Sequence, residues 1–322
     1  MNTNFVSVFA ERLTGFLEQK RALGYSYSNI SDLRIFDRIC IEQFASETKL
    51  TRDICNAWAT RRRNESAKTT ARRIPFIREF ARYLIRNGEQ AYVLPNGTIK
   101  KGQRYIPHIY SRAELAEIWR AFDSIRPTKV YPAAHIVMPT LIRLLYCCGL
   151  RPSEALNLRT GDVDIRSGKL FIAESKGNRD RIIMLSDDVR ELCHNYNELI
   201  REYIPSRSFF FAKNATDACD YGWINWVFRK TRKKLHIESR SDNPPRLYDL
   251  RHTFATHRLY QWMHEGKDLY AMMPYLSSYM GHTKLTETFY YIHLVPGMFE
   301  TMSGFRYKSA VDIFPDMVKA DE

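Results

Sequence analysis

Four short blocks in the second half of the chain collect reactive and charged side chains at close spacing: CGLRPSEALNL around Arg151, ESKGNRDRIIML around Lys176, YDLRHTFATH around Arg251, and YMGHTKLTETFYYIHL with His282, Tyr290 and Tyr291. A guanidinium is permanently charged and planar, so it grips two oxygens of a tetrahedral or phosphorane-like centre at once. An ammonium can hand a proton to a leaving oxygen, and a phenolate is a nucleophile that stays attached to the protein. Each residue also has a plainer use. Arg151 precedes Pro152 and suits a helix start. Lys176 beside Gly177 suits a solvated turn, where Arg179 or Arg181 would be the functional contact instead. His252, directly after Arg251, falls on a different face of the same helix and reads as a packed structural histidine.

A chain of 322 residues exceeds one ordinary core, so two domains are expected. With 44% hydrophobic and 26% charged residues it is neither disordered nor low in complexity. Lys and Arg number 49 against 36 acidic residues, a net charge of +13 that points to a polyanionic partner, and residues 1–106 carry +9 of it. The six cysteines form no CxxC pair, which favours reduced thiols and no structural zinc, and no cofactor is expected. The opening MNTNFVSVFAERL has no basic leader followed by an apolar run, so no signal peptide is expected. Residues 131–150 are the best membrane-length window, but Pro132, His135, Pro139 and Arg143 interrupt them, leaving a buried core helix and a cytoplasmic protein without a membrane partner.

Phe5, Phe9, Leu13 and Phe16 recur at helical spacing, as do Leu33, Phe36, Cys40 and Phe44; a third helix begins at Thr51 and a fourth follows a Ser66 cap and ends at Gly88, kinked at Pro75. This small bundle carries a basic cluster, Arg61, Arg62, Arg63, Lys68, Arg72 and Arg73. The Pro, Asn-Gly and Lys-Lys content of residues 95–106 is linker chemistry. It separates a helical domain at 1–94 from a second domain at 107–322. Within the latter, KLFIAES and DRIIML read as the arms of a hairpin in a mainly helical surround.

The order of the blocks resembles the tyrosine recombinase, or phage integrase, family. The resemblance implies an N-terminal helical core-binding domain that contacts DNA through Arg61, Arg62, Arg63, Lys68, Arg72 and Arg73, and a catalytic domain that is mainly α with a small β-hairpin or sheet. It implies a nucleophile at Tyr291, nine residues after His282 and followed by Ile292-His293, with Tyr290 as a packing aromatic. Arg151 and Arg251 would clamp the transition state, Lys176 would act as the acid, and His282 would hydrogen-bond the scissile phosphate. Tyr248 stands where the family usually has histidine; it keeps a hydroxyl for the phosphate but puts proton shuttling there in doubt. The implied activity is site-specific recombination of double-stranded DNA through a 3′-phosphotyrosine, without metal or ATP. The two domains would close on duplex DNA, a homotetramer would synapse paired sites, and an accessory DNA-bending protein could assist in a nucleoid-associated complex. Integration, excision, inversion, resolution and transposition of a mobile element share this chemistry. Rival readings are a hairpin telomere resolvase, a type IB topoisomerase-like enzyme, or a catalytically silent DNA-binding regulator. The apolar tail, with Met298, Phe299, Met302 and Phe305, then Val311, Ile313, Phe314 and Met317, must be buried somewhere, either on its own domain or, as the resemblance implies, on a neighbouring protomer.

Overall fold

The computed structural model describes residues 4–25, 30–97, 105–129, 131–175, 179–235, 237 and 244–294. The chain divides into two compact units, Met1–Arg104 and Tyr105–Glu322.

The first unit contains helices α1 (Ala10–Ala22), α2 (Ile30–Gln43), α3 (Arg52–Ala59) and α4 (Ala67–Arg86). Phe9 lies at the N-cap of α1, so Phe5 precedes the helix that the spacing assigned it to. Thr51 and Ser66 cap α3 and α4 by accepting the N–H of Ile54 and Thr69. Helix α4 runs through Pro75 as one element, since an internal proline removes a single ladder bond and the flanking turns are held by buried Ile74, Phe76 and Ile77. It ends where Gly88 turns left-handed at φ +83°. The core is aromatic: Phe36 meets Trp58 at 5.6 Å and Phe76 at 5.5 Å, both edge to face.

The second unit is helical around one small sheet, and its elements are α5 (Arg112–Asp123), α6 (Ala134–Cys147), α7 (Pro152–Asn157), β1 (Val163–Asp164), β2 (Lys169–Ser175), β3 (Arg179–Met184), α8 (Asp187–Arg201), α9 (Tyr221–Arg232), α10 (Asp249–His264), α11 (Leu269–Met280) and α12 (Thr286–Phe289). A 3₁₀ turn, Tyr290–Leu294, follows α12. Helix α6 is the apolar window of the sequence, and it is buried in the core of this unit along most of its length. The strands are antiparallel in the order β1-β2-β3, with Leu170 opposite Ile183 and Ile172 opposite Arg181. Leu170, Ile172 and Ile183 face inward while Phe171, Ile182 and Met184 face out, the two-residue period of a half-covered sheet. A separate small core of Phe254, Ala255, Leu259, Met273, Leu276, Met280 and Tyr291 binds the last turn to α10 and α11.

Lys176 and residues 295–322 lie outside the described residues. All six cysteines are free thiols. Among the described residues no helix is long and apolar enough to cross a membrane, and no cluster of three metal-binding side chains occurs.

Candidate active site

The blocks separated in sequence meet at the C-terminal end of α11. The last carbonyls of any helix lack intrahelical donors and carry the negative end of its dipole, so they attract cations. Here three consecutive carbonyls are each taken by a different arginine. Tyr279 O accepts from Arg181 Nε at 2.9 Å, Met280 O from Arg251 Nη2 at 2.6 Å, and Gly281 O from Arg151 Nη2 at 3.0 Å. Gly281 caps the helix at φ +63°, and a Cβ there would stand 2.8 Å from Arg181 Nη1. Both the left-handed turn and the arginine exclude a side chain.

Arg151 is the N-cap of α7, with Pro152 at its first position, so the helix-start reading and the functional one coincide. Arg251 is 1% exposed and also donates to Gly149 O at 2.6 Å. Its Nε finds no hydrogen-bond partner among the described residues. A buried, unpaired guanidinium N–H suits an oxyanion brought to the site.

Glu154 holds the arginines together. Its carboxylate accepts from Arg151 Nη1 at 2.6 Å and from Arg181 Nη1 and Nη2 at 3.0 and 2.8 Å, and it lies 3.8 Å from Arg251 Nη1. Burial alone would raise this carboxyl, but the hydrogen bonds and charge of Arg181, with the Arg151 backbone N–H and the charge of Arg251, bring it down to about 2. One carboxylate against three guanidiniums leaves the cluster positive, as a phosphate site requires. Because the folded carboxyl titrates below its usual range, the stability it contributes is present above about pH 4.5 and is lost as pH falls toward 2. Glu154→Gln should cost about 3 to 5 kcal/mol at pH 7, the usual effect of breaking a buried pair. In urea melts its deficit should shrink as pH falls from about 4.5 toward 2; a deficit independent of pH would mean that shape and not charge is what Glu154 supplies.

Tyr291 is 3% exposed, and burial pushes its hydroxyl up to about 12 although Arg251 and Arg151 pull it the other way. Its hydroxyl lies 3.2 Å from His252 Nδ1, and its ring stacks on His282 at 6.1 Å. His282 Nδ1 pairs with Thr288 Oγ1 at 2.6 Å, and burial together with Arg251 and Arg151 holds this imidazole down at about 3. It is therefore neutral at ordinary pH. Tyr248 precedes α10, one turn before His252, with the two rings 5.2 Å apart. The adjacent Tyr290 is half-buried, with its ring 6.5 Å from that of His252. Arg151, Arg251, His282, Tyr291 and Tyr248 thus come together. His252, read from sequence as a structural histidine, lies beside the tyrosine hydroxyl; its i+4 relation to Tyr248 was the available signal.

A groove of about 580 Å³ opens beside Tyr248 and His252. Tyr221, Asn225, Arg229 and Arg232 of α9 line it at helical spacing, together with Pro244, Pro245 and Arg246. The opposite face of α9 buries Ile224 and Phe228. Arg232 Nε is buried without a partner among the described residues. The sequence reading missed this basic face because it placed the cationic site in the first unit.

There the structure corrects Arg73. It is 2% exposed, donates to Glu65 at 2.7 and 2.9 Å and to Thr60 O at 2.8 Å, and its guanidinium sits 4.7 Å from the Trp58 ring. This arginine is a core ion pair and cannot reach a phosphate. Arg62 is half-buried over the same ring, whereas Arg61, Arg63, Lys68 and Arg72 are exposed. Arg73→Ala should therefore lower stability by about 3 to 5 kcal/mol. Alanine at Arg63, Lys68 and Arg72 should leave the melting temperature unchanged and flatten the salt dependence of DNA binding by up to about one log-log unit per lost contact, whereas Arg61 also donates its Nε to Glu65 O at 2.6 Å. An unchanged slope would show that these charges are merely solvated.

The phage integrase family model matches residues 113–297. The putative integrase/recombinase y4rB of Sinorhizobium fredii is 25% identical over 301 residues, covering 89% of this chain and 93% of its own. The tyrosine recombinase XerC of Chlorobaculum tepidum is 29% identical over 249 residues, 70% of this chain and 69% of its own. Among solved structures, XerH site-specific recombinase bound to palindromic difH substrate aligns with TM-score 0.64 at 18% identity over 86% of this chain and 79% of that one. The Tn1549 transposon integrase in complex with transposon right end DNA aligns with TM-score 0.62 at 14% identity over 95% and 98%. These two share the fold. With the family match spanning more than half of the sequence, and its arginines, histidine and tyrosine gathered at one helix end, the chain belongs to the phage integrase family, the tyrosine recombinases.

Proposed function

We propose that the protein is a site-specific DNA recombinase that cuts and rejoins duplex DNA through a tyrosine. The observation that carries the reading is the meeting of Arg151, Arg251 and His282 with the buried hydroxyl of Tyr291 at the end of α11. In this mechanism Tyr291 Oη attacks the scissile phosphorus and a 3′-phosphotyrosine stores the bond, so resealing needs no external energy. Arg151 and Arg251 take the charge that develops on the non-bridging oxygens. Neutral His282 and the Tyr248 hydroxyl hydrogen-bond the phosphate, and Lys176 protonates the leaving 5′ oxygen. The basic face of α9 supports the same partner, since its groove leads to Tyr248 and His252.

Four protomers on two paired sites, working on chromosomal DNA, are part of the proposal, as is a role in integration or excision. The relatives named integrase/recombinase over almost their whole length support that role. A resolvase, a topoisomerase-like enzyme and a silent regulator are less favoured. The test is a duplex nicked beside its cleavage position, so that the cut end escapes. Denatured protein should keep labelled DNA covalently attached. Binding without any adduct would leave only a DNA-binding protein, and a sized synaptic complex with two protomers instead of four would remove the tetramer.

A further inference from the structure

The strand-cutting reading leaves the proton of the nucleophile without a destination. Tyr291 is nearly sealed from solvent and burial pushes its hydroxyl up to about 12, so the O–H bond has to break in step with attack, toward a group already in contact. Tyr248 offers only a second phenol, which is no base toward a first. His282 has Nδ1 engaged with Thr288 and is held down near 3, which makes it a poor proton acceptor. His252 is the imidazole in contact with the hydroxyl itself. Its Nδ1 faces Tyr291 Oη at 3.2 Å, the two rings lie 5.6 Å apart, and the imidazole also forms part of the groove wall beside Tyr248. It therefore stands between the buried hydroxyl and the surface along which DNA would lie.

We propose that His252 is the general base that takes the proton of Tyr291 as its oxygen attacks phosphorus, and returns it when the strand is resealed. The proposal rests on the reading of Tyr291 as nucleophile. With the ring proton on Nε2, Nδ1 accepts; the Tyr291 O–H bond breaks and His252 becomes imidazolium. The tyrosine O–P bond forms, the bond from phosphorus to the 5′ oxygen breaks, and that oxygen takes a proton from the Lys176 ammonium or from water. Resealing reverses every transfer, so no proton is consumed over the cycle. The titratable groups facing His252 are Tyr248 on its own helix, Tyr290 and Tyr291 on the last turn, and His282 beyond α11. Arg229, Arg232 and Arg246 share its groove, and Arg251 is its chain neighbour.

The experiment measures single-turnover adduct formation on the nicked duplex from pH 5.5 to 9 for the wild type, His252→Ala and His252→Gln, with melting temperature and duplex affinity measured in parallel. The wild-type rate should rise with pH as the base loses its proton and then level. Both variants should bind DNA normally, react about 100-fold or more slowly, and show a rate that climbs with hydroxide throughout. Free imidazole should restore the Ala variant and leave the Gln variant, whose side chain fills the space, unrestored. The Gln variant keeps an acceptor and most of the volume, so it reports on chemistry even where the Ala variant fails to fold. A Gln variant as fast as wild type overturns the proposal. So does a slow variant that keeps the wild-type limb of the pH profile and ignores added imidazole. If the wild type itself forms no adduct, the strand-cutting reading fails; if wild type and both variants form it alike, only the role of His252 does.

Discussion

Tyr291→Phe will form no covalent protein–DNA adduct and no recombinant product, yet will bind duplex DNA as tightly as the wild type. The substitution deletes one oxygen and no charge. The ring it leaves is held by Phe254, Leu259, Met273 and Met280 in the small core, so the last turn keeps its seat against α10 and α11. The lost hydrogen bond to His252 costs about 1 kcal/mol, too little to unfold the unit. No neighbouring group can replace the attacking atom, because Tyr290 sits one residue away with its ring 6.0 Å from that of Tyr291 and rotated from it by 61°. Tyr290→Phe should accordingly cut at the wild-type rate. An adduct that survives Tyr291→Phe and disappears with Tyr290→Phe would move the nucleophile by one residue.

Arg251→Ala has the next largest expected effect. Removing a donor preorganised for the transition state costs about 3 kcal/mol, or about 100-fold in single-turnover cleavage. This arginine also fastens Gly149 O to Met280 O, and leaving two buried carbonyls unpaired costs about 1 to 3 kcal/mol each, so the melting temperature should fall as well. Arg251→Lys separates the two losses: it keeps the charge but cannot span both carbonyls with one planar fork, so stability should recover in part while cleavage stays slow. Arg151→Ala should show a similar kinetic loss and should also lower the melting temperature, since it removes the bridge to Gly281 O and the buried ion pair with Glu154. Equal losses in duplex affinity and in cleavage would make either residue an ordinary phosphate contact.

Much of this site was legible from short-range chemistry. Arg151 and Pro152 announced a helix start, and the strand pattern announced the hairpin that carries Arg181. Local rules of capping, turn and period act over a few residues and leave their mark in the letters. What was not legible depends on partners far away in sequence. Arg73 looks like any cation in a basic run until Trp58 and Glu65 enclose it. His252 is rotated away from Arg251, and its partner lies 39 residues on. The common anchorage of Arg181, Arg251 and Arg151 on three successive carbonyls, with Glu154 between them, joins a strand, two helix starts and a helix end, a combination no periodicity encodes.

That anchorage bears on how such an enzyme could be redirected to new targets. Successive carbonyls at a helix end sit about 100° apart around the axis, so the three arginines approach α11 from separate elements and are locked in a single register. Inserting or deleting one residue between Tyr279 and His282 would put arginines, histidine and tyrosine out of step together. The groove face of α9 is under no such restriction: Tyr221, Asn225 and Arg229 project from a helix seated on the core by Ile224 and Phe228. On the proposed reading, in which this face lies along DNA, its side chains can therefore vary while the cluster fastened to the end of α11 stays fixed, and a lineage, or a library, can search for new sites by varying α9.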